Sequence, residues 1–421
     1  MLFGSSGIRR LFDREFLMLS LDVGCVVGSG LGSVITARDT RTTGKILQDA
    51  FMSGAVYSGA EVYDGGIAPT PTVAYAAKER DAGCCVTASH NPENYNGLKL
   101  INPDGSAFTK KQQEITEEML SRGVHGDWKK QGVIRTTDII EPHKEAILRS
   151  VQVSGDMEMV VDCGGGAGCM ITPILLKDLG VKVHCINCNV SGRFPRPSEP
   201  LEKNLSYISN MVKKTGSCGA VIHDGDADRF MAFDEKGRFV GGDKMLILFA
   251  EYLDAKKVVT TQDASMAIEE VADVHRTPVG DSFVSEELIS WGDFGGEPSG
   301  SWVFPNHSLC PDGIYAAALF CKIASENSIS SLVDEMPDYP LLRSSYACKD
   351  AQGVLLEMGA EIPTDGIRVE GEDGWCLVRA SGTEPKVRIT AEGKTVSIAR
   401  QMEEKGLSLL KSAGKRYKQS Q

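Results

Sequence analysis

Residues 157–180, MEMVVDCGGGAGCMITPILLKDLG, read as a short apolar strand, a glycine-rich turn and a helix that stops at Gly180; VKVHCIN supplies the next strand. The same order returns in residues 59–83, GAEVYDGGIAPTPTVAYAAKERDAG, ahead of the strand CCVTAS, and in residues 257–275, KVVTTQDASMAIEEVADVH. Parallel strands need a long crossover, which a helix supplies, so this alternation predicts α/β layers with a mostly parallel sheet. Such units recur over about 340 residues, more than one compact core absorbs. Three α/β domains of similar, mixed topology are therefore expected, over 1–150, 151–241 and 242–340. Beyond 340 the pattern changes. DGWCLVRA and KVRITAE flank the turn SGTEP as two strands, and TVSIARQMEEKGLSLLKSAG has helical spacing. A smaller α+β domain is expected over 341–421, with KRYKQSQ as a frayed polar end.

The 45 basic and 57 acidic residues leave a net charge of −12. Nucleic acid and anionic membranes reward a basic excess, so neither is expected as a partner. Any anion must be held by a local cluster of donors. The longest apolar runs, MLILFA and IYAAALFCKIA, fall short of the roughly 20 residues that span a bilayer. Twelve scattered cysteines, with no apolar h-region in the opening MLFGSSGIRR, predict free thiols in a reducing cytoplasm. Cys185 and Cys188 have CxxC spacing, but no second CxxC completes a zinc set. GSGLGS (28–33) has Ser33 where a dinucleotide loop ends in glycine, and GGGAG (164–168) lacks the third glycine at the right spacing and a P-loop lysine, so both read as packing turns.

The chemistry is concentrated in four stretches. In HDGDADRF (223–230), Asp224, Asp226 and Asp228 alternate with small residues that let three carboxylates converge. Their repulsion calls for a divalent cation, and oxygen-only donors favour Mg²⁺ over zinc. A calcium loop of the EF-hand kind, with Glu235 at its twelfth position, is countered by Arg229 where that loop needs glycine. In RASGTEPKVRI (379–389), Gly382 frees the backbone, Ser381 and Thr383 add hydroxyls, and Arg379 and Arg388 offer forks that match phosphate. In GGEPSG (295–300), Glu297 and Ser299 suit sugar hydroxyls. VTASHNPENYNGLKL (86–100) crowds Ser89, His90 and Lys99 into one polar stretch containing Gly97. Thr87 and Asn91 flank Ser89 where a hydrolase elbow has glycines, so a serine hydrolase is not indicated. A serine beside a Mg²⁺ site fits phosphoryl transfer, where positioning and charge neutralisation dominate.

Together with FGSSGIRR (3–10) and TARDTR, these stretches resemble the α-D-phosphohexomutase family, in its order and over essentially the whole chain. The resemblance implies a four-domain, heart-shaped enzyme around a central cleft, which interconverts sugar 1-phosphates and 6-phosphates through a sugar bisphosphate. It implies that Ser89 carries a phosphoryl group and that Asp224, Asp226 and Asp228, with an oxygen on Ser89, hold one Mg²⁺. Arg9, His90, Lys99 and Arg229 match positions close to the transferring phosphate; Lys99 and His90 both remain candidates for the general acid–base. Glu297 and Ser299 would grip sugar hydroxyls. Arg379, Ser381, Gly382 and Thr383, with Arg388, would clamp the phosphate that is not reacting. Gly97 would turn the chain so that Lys99 faces the site. Ser301 stands where many relatives have histidine, and GEPSGSWVFPNH is more similar to an archaeal-type branch acting on glucosamine phosphate. Glucosamine 6-phosphate is the expected substrate, with glucose and mannose phosphates as alternatives. A non-catalytic phosphosugar binder would not need Ser89 and the acidic loop, and a phosphatase would not need the second clamp. Nothing in the sequence sets an oligomeric state.

Overall fold

The computed structural model describes residues 2–4, 6–381 and 385–420, whose strands form four sheets. The first contains β1 (Ile8–Leu11), β2 (Ser33–Arg38), β3 (Glu61–Ile67), β4 (Ala82–Val86), β5 (Tyr95–Ile101) and β6 (Ile134–Thr136), in the order β1-β5-β4-β2-β3-β6. Strands β4, β2, β3 and β6 are parallel, and β5 and β1 add antiparallel to the edge. The second contains β7 (Glu158–Asp162), β8 (Lys182–Ile186), β9 (Ala220–His223), β10 (Phe230–Phe233) and β11 (Phe239–Val240), ordered β11-β10-β9-β7-β8. The third contains β12 (Lys257–Thr261), β13 (Asp273–Thr277), β14 (Phe294–Glu297) and β15 (Ser301–Val303), ordered β13-β12-β14-β15. The fourth is wholly antiparallel: β16 (Leu341–Ala347), β17 (Ile367–Glu370), β18 (Gly374–Ala380) and β19 (Lys386–Gly393), ordered β16-β19-β18-β17.

Burial explains why these short segments are strands. AGCCV in β4 and AVIH in β9 are buried along their whole length, as a strand covered on both faces must be. A shared apolar core joins the second and third sheets, with Phe230, Phe249, Phe294, Trp302 and Phe304 at its centre. The signature loops leave the carboxyl ends of β4, β9 and β14, the edge where ligands bind in open α/β sheets.

Four local expectations are corrected. Residues 262–275 hold only a five-residue 3₁₀ helix, Met266–Glu270, before β13. Arg276 replaces longer helix hydrogen bonding here by donating to the carbonyls of Thr261, Ala264 and Ser265. The C-terminal segment is not frayed: one helix runs Val396–Ser420, with Tyr417 bonded to Asp350 and Arg416 to Glu357. GSGLGS is not a turn, because its first three residues end the helix Arg14–Gly30. A Cβ on Gly24, Gly28 or Gly54 would lie 2.0–2.4 Å from backbone oxygens of the facing helix, so these glycines let two helices touch. Gly97 does not turn the chain either. It sits within β5, where a Cβ would lie 2.3 Å from the Thr87 oxygen and 2.5 Å from the Ile8 oxygen.

Candidate active site

Ser89 follows β4 with φ of 48°, a left-handed conformation that costs a non-glycine residue energy. The surrounding loop enforces it. Ser89 N–H donates to Thr87 Oγ1 at 2.9 Å, and Thr87 Oγ1 donates to Asp39 Oδ2 at 2.7 Å. Asp39 pairs with Arg41 Nε at 3.0 Å. The remaining Arg41 nitrogens donate to the carbonyls of Ser89, Asn91, Pro92 and Tyr95, at 2.8, 2.7, 2.6 and 3.0 Å. One buried guanidinium thereby holds the whole polar loop. Sequence reasoning gave Arg41 no role, although TARDTR placed it in a recognisable stretch.

Asp224, Asp226 and Asp228 come together behind Ser89, each with a carboxylate oxygen within 4.8 Å of the others. Ser89 Oγ donates to Asp224 Oδ2 at 2.6 Å. Lys99 reaches Asp226 Oδ2 at 2.8 Å and also bonds Asp228 Oδ2; Thr70 Oγ1 donates to Asp226 Oδ2. Burial, with Asp228 and Asp226 beside it, pushes the Asp224 carboxyl well above its usual range. Burial alone would lower Lys99, but Asp226 and Asp228 hold it well above its usual value. One cation does not satisfy the cluster: Asp226 Oδ1 and Asp228 Oδ1 are buried with no hydrogen-bond partner. Three clustered carboxylates with two orphaned oxygens, and no nitrogen or sulfur donor among them, fit a divalent Mg²⁺ ion. The calcium-loop alternative is excluded by Glu235, whose carboxylate instead accepts from Ser328 and Ser330. GGGAG braces the acidic loop from behind, through Ala167 N–H to the Gly225 oxygen at 2.8 Å.

Around this centre, Arg9 donates to Asn91 Oδ1 and Ser6 Oγ at 3.3 and 3.2 Å. Arg229 N–H donates to Asp224 Oδ1 at 3.3 Å, and its guanidinium pairs with Glu199 at 3.4 Å. His90 Nδ1 lies 3.3 Å from Ser89 Oγ. Burial, aided by Arg229 and Arg9, pushes His90 down to about 3, so the imidazole is neutral at ordinary pH. Glu297 is buried at the end of β14, accepting from Gly280 N–H at 2.7 Å and from Ser299 Oγ at 3.0 Å. Burial and then Asp281 push Glu297 up to about 7. Asp281 carried no motif in the sequence, yet it lines a small cavity with Ser6, Lys99 and Asp228.

Glu297 gives a stability prediction. A carboxyl whose folded pKa is raised from about 4.5 to about 7 contributes stability below the lower value and loses it as pH rises through the higher one. Glu297→Gln is therefore expected to equal the wild type in thermal unfolding at pH 4.5. It should exceed it by about 2–3 kcal/mol at pH 8. Equal stability at both pH values would contradict the buried-carboxyl assignment.

The fourth sheet brings its predicted residues together separately. Arg379 and Arg388 are cross-strand partners on β18 and β19. Ser381 Oγ is buried with no hydrogen-bond partner among the described residues. Gly382 and Thr383 lie outside the described residues. Arg379 and Asp365 line a cavity of about 640 Å³, with Phe3, Phe108, Phe283 and Ile362. Neither Ser89 nor the acidic loop lines it, but it shares Ala107 and Ser282 with the small cavity at Lys99 and Asp228. The Ser89 centre and the Arg379 cavity thus face adjoining space.

Comparison with known proteins bears on this arrangement. Profiles described as phosphoglucomutase/phosphomannomutase alpha/beta/alpha domains I, II and III match residues 1–123, 140–237 and 241–339; the C-terminal domain profile matches 343–406. A probable phosphoglucosamine mutase of Methanosarcina acetivorans is 43% identical over 93% of this chain and 95% of its own. A phosphoglucosamine mutase of Methanocaldococcus jannaschii is 38% identical over 98% of each. Among solved structures, a phosphoglucomutase/phosphomannomutase family protein from Burkholderia thailandensis has a similar fold, with TM-score 0.86, 24% identity, and 98% of this chain and 97% of that one covered. The Aspergillus fumigatus N-acetylphosphoglucosamine mutase in complex with GlcNAc-6P and magnesium matches with TM-score 0.55 and 16% identity over 98% and 96%.

Proposed function

We propose, from the premise that this chain belongs to the phosphoglucomutase/phosphomannomutase family, that it interconverts glucosamine 6-phosphate and glucosamine 1-phosphate. The chain is an intramolecular phosphotransferase of the isomerase class. The glucosamine assignment is supported by the names of its archaeal relatives. The observation that carries the reading is Ser89 Oγ, 2.6 Å from Asp224 and beside two aspartates with unpaired oxygens.

In the proposed cycle, phospho-Ser89 gives its phosphoryl group to the free hydroxyl of the sugar monophosphate. The Oγ–P bond breaks, the sugar O–P bond forms, and the hydroxyl proton ends on Ser89 Oγ. Neutral His90, with Nδ1 at 3.3 Å from that oxygen, is the better placed relay; Lys99 is held charged by two carboxylates. The bisphosphate then reorients and returns its other phosphate to Ser89. Arg9, Arg229 and Lys99 surround the transferring group with positive charge. Mg²⁺ held by Asp224, Asp226 and Asp228, with an oxygen on Ser89, supplies charge neutralisation when bound. Glu297 and Ser299 receive sugar hydroxyls, and Arg379, Ser381, Gly382, Thr383 and Arg388 clamp the distal phosphate. The segments 1–150, 151–241, 242–340 and 341–421 each contribute one signature loop. Sugar bisphosphate serves as activator, and twelve free thiols suit a reducing cytoplasm. Among the described residues no helix is long and apolar enough to cross a membrane.

Phosphorus NMR tests the reading. Enzyme with Mg²⁺ and a trace of sugar bisphosphate is given glucosamine 6-phosphate, glucose 1-phosphate or mannose 1-phosphate. A new sugar-phosphate resonance, growing fastest with glucosamine phosphate, is expected. Faster turnover of another sugar would reassign the substrate; growth of inorganic phosphate alone would indicate hydrolysis, and no change a binding protein. Asp226→Asn keeps the side chain's size but weakens the cation set. A loss of about 10²-fold or more and a raised Mg²⁺ requirement are expected. A normal rate at limiting Mg²⁺ would remove Asp226 from the metal site.

A further inference from the structure

We propose that His143, His307 and Asp312 form a second metal site, separate from the acidic loop, for a zinc-like divalent ion. His143 comes from the helix Ile140–Ser150, and His307 and Asp312 from the segment after β15. His143 Nε2 lies 3.0 Å from Asp312 Oδ2 and 3.3 Å from His307 Nε2; His307 Nε2 lies 3.3 Å from Asp312 Oδ2. Ligand atoms about 2.0–2.1 Å from a tetrahedral ion stand about 3.3 Å apart, so these three atoms match three corners. Two imidazoles and one carboxylate select zinc, cobalt or nickel over Mg²⁺. Water supplies the fourth corner of such a set.

The ligands are oriented as metal ligands are. His143 Nδ1 is 3.0 Å from Thr72 Oγ1, which can accept its N–H and leave Nε2 as the free lone pair. Asp312 Oδ1 accepts from Ile314 and Tyr315 N–H, both at 2.9 Å, which turns Oδ2 toward the histidines. The His307 ring is stacked on Tyr75 and Tyr315, with centroids 5.6 and 4.6 Å away. Lys78, a cation beside the cluster, is bonded to the His307 carbonyl. The Nε2 atoms of both histidines thus meet one carboxylate oxygen within 3.3 Å of each other.

The position gives the ion a purpose. Gly313, next to Asp312, packs on the back of the acidic loop: a Cβ there would meet the oxygens of Arg229 and Ala227 at 2.6 and 2.7 Å. Thr72 shares its helix, Thr70–Ala77, with Thr70, which bonds Asp226. An ion at His143, His307 and Asp312 would brace three segments that position the acidic loop, without touching substrate.

The test uses full-length protein stripped with chelator, returned to excess Mg²⁺ and titrated with Co²⁺. Uptake of one Co²⁺ per chain is expected, with the visible bands of a four-coordinate ion and two imidazoles in X-ray absorption. The bound ion should also raise the melting temperature. His307→Gln, on a partly exposed loop, should weaken uptake about 100-fold, while the chelated variant melts like the chelated wild type. His143→Gln should behave alike. If it fails to fold, His307→Gln and the wild-type X-ray absorption decide. No uptake in excess Mg²⁺, or uptake that survives both substitutions, would overturn the proposal. So would loss of uptake in Asp226→Asn, or in Cys188→Ser, whose thiol lies 3.5 Å from that of Cys163.

Discussion

Ser89→Ala is expected to fold and to bind phosphosugar, yet to interconvert it at least about 10⁴-fold more slowly than the wild type. The side chain is 1% exposed and its oxygen has two partners, Asp224 Oδ2 and His90 Nδ1. The backbone that places it does not depend on that oxygen. Ser89 N–H is held by Thr87, and its carbonyl by Arg41 and Ser198. Alanine at φ of 48° carries about the same strain as serine, so the loop keeps its shape. Asp224 loses a donor, and Mg²⁺ in the buffer compensates the charge. What disappears is the atom that accepts and returns the phosphoryl group; the hydroxyls of Thr87, Thr70 and Ser198 are committed to Asp39, Asp226 and the Ser89 carbonyl. Phosphorus NMR of the variant, with added bisphosphate, measures the rate. Residual turnover near a tenth of wild type would remove Ser89 from the covalent role.

How much of this was legible in the sequence depends on how local each feature is. Asp224, Asp226 and Asp228 announce themselves because five consecutive residues contain all three carboxylates and the small residues between them. The strand–loop–helix order and the antiparallel C-terminal strands follow from local apolar pattern in the same way. Features made by distant segments were not legible. Gly97 looked like a turn, because nothing in its own stretch shows that Ile8 and Thr87 oxygens close on it from two sides. Asp281 has no motif; its nearness to Glu297 and Lys99 exists only once β14 and the cavity walls are assembled. The residues 257–275 misled in the opposite direction, since a helical apolar spacing there yields to parallel pairing of β13 with β12. Arg41 is the most consequential omission. Asp39 and Arg41 follow the end of β2, the Ser89 loop begins at the end of β4, and the parallel pairing of those strands brings them together.

Arg41→Met should therefore damage the enzyme almost as severely as loss of the nucleophile, although Arg41 transfers nothing. Arg41 is 2% exposed, and its guanidinium holds four carbonyls and one carboxylate. Methionine fills much of the volume and supplies none of those donors. Asp39 is then a buried carboxylate without its cation; burial already pushes its carboxyl up, and Arg41 is the main opposing influence. Removing one partner of a buried ion pair costs about 3–5 kcal/mol, and the orphaned carbonyls add to it. The damage reaches catalysis along one chain of bonds: Asp39 orients Thr87, Thr87 holds Ser89 N–H, and Arg41 itself holds the Ser89 carbonyl. A nucleophile displaced by about 1 Å can lose about 10²-fold in rate. Arg41→Met is thus expected to melt at a markedly lower temperature and, assayed well below it, to turn over at least about 10²-fold more slowly. Arg41→Lys separates charge from geometry. An ammonium restores the counterion for Asp39 but cannot span four carbonyls in a planar fork. It should recover much of the stability and little of the rate. Full activity in the lysine variant would mean that charge alone holds the loop; wild-type rates in the methionine variant would show that the Ser89 loop keeps its shape without the guanidinium.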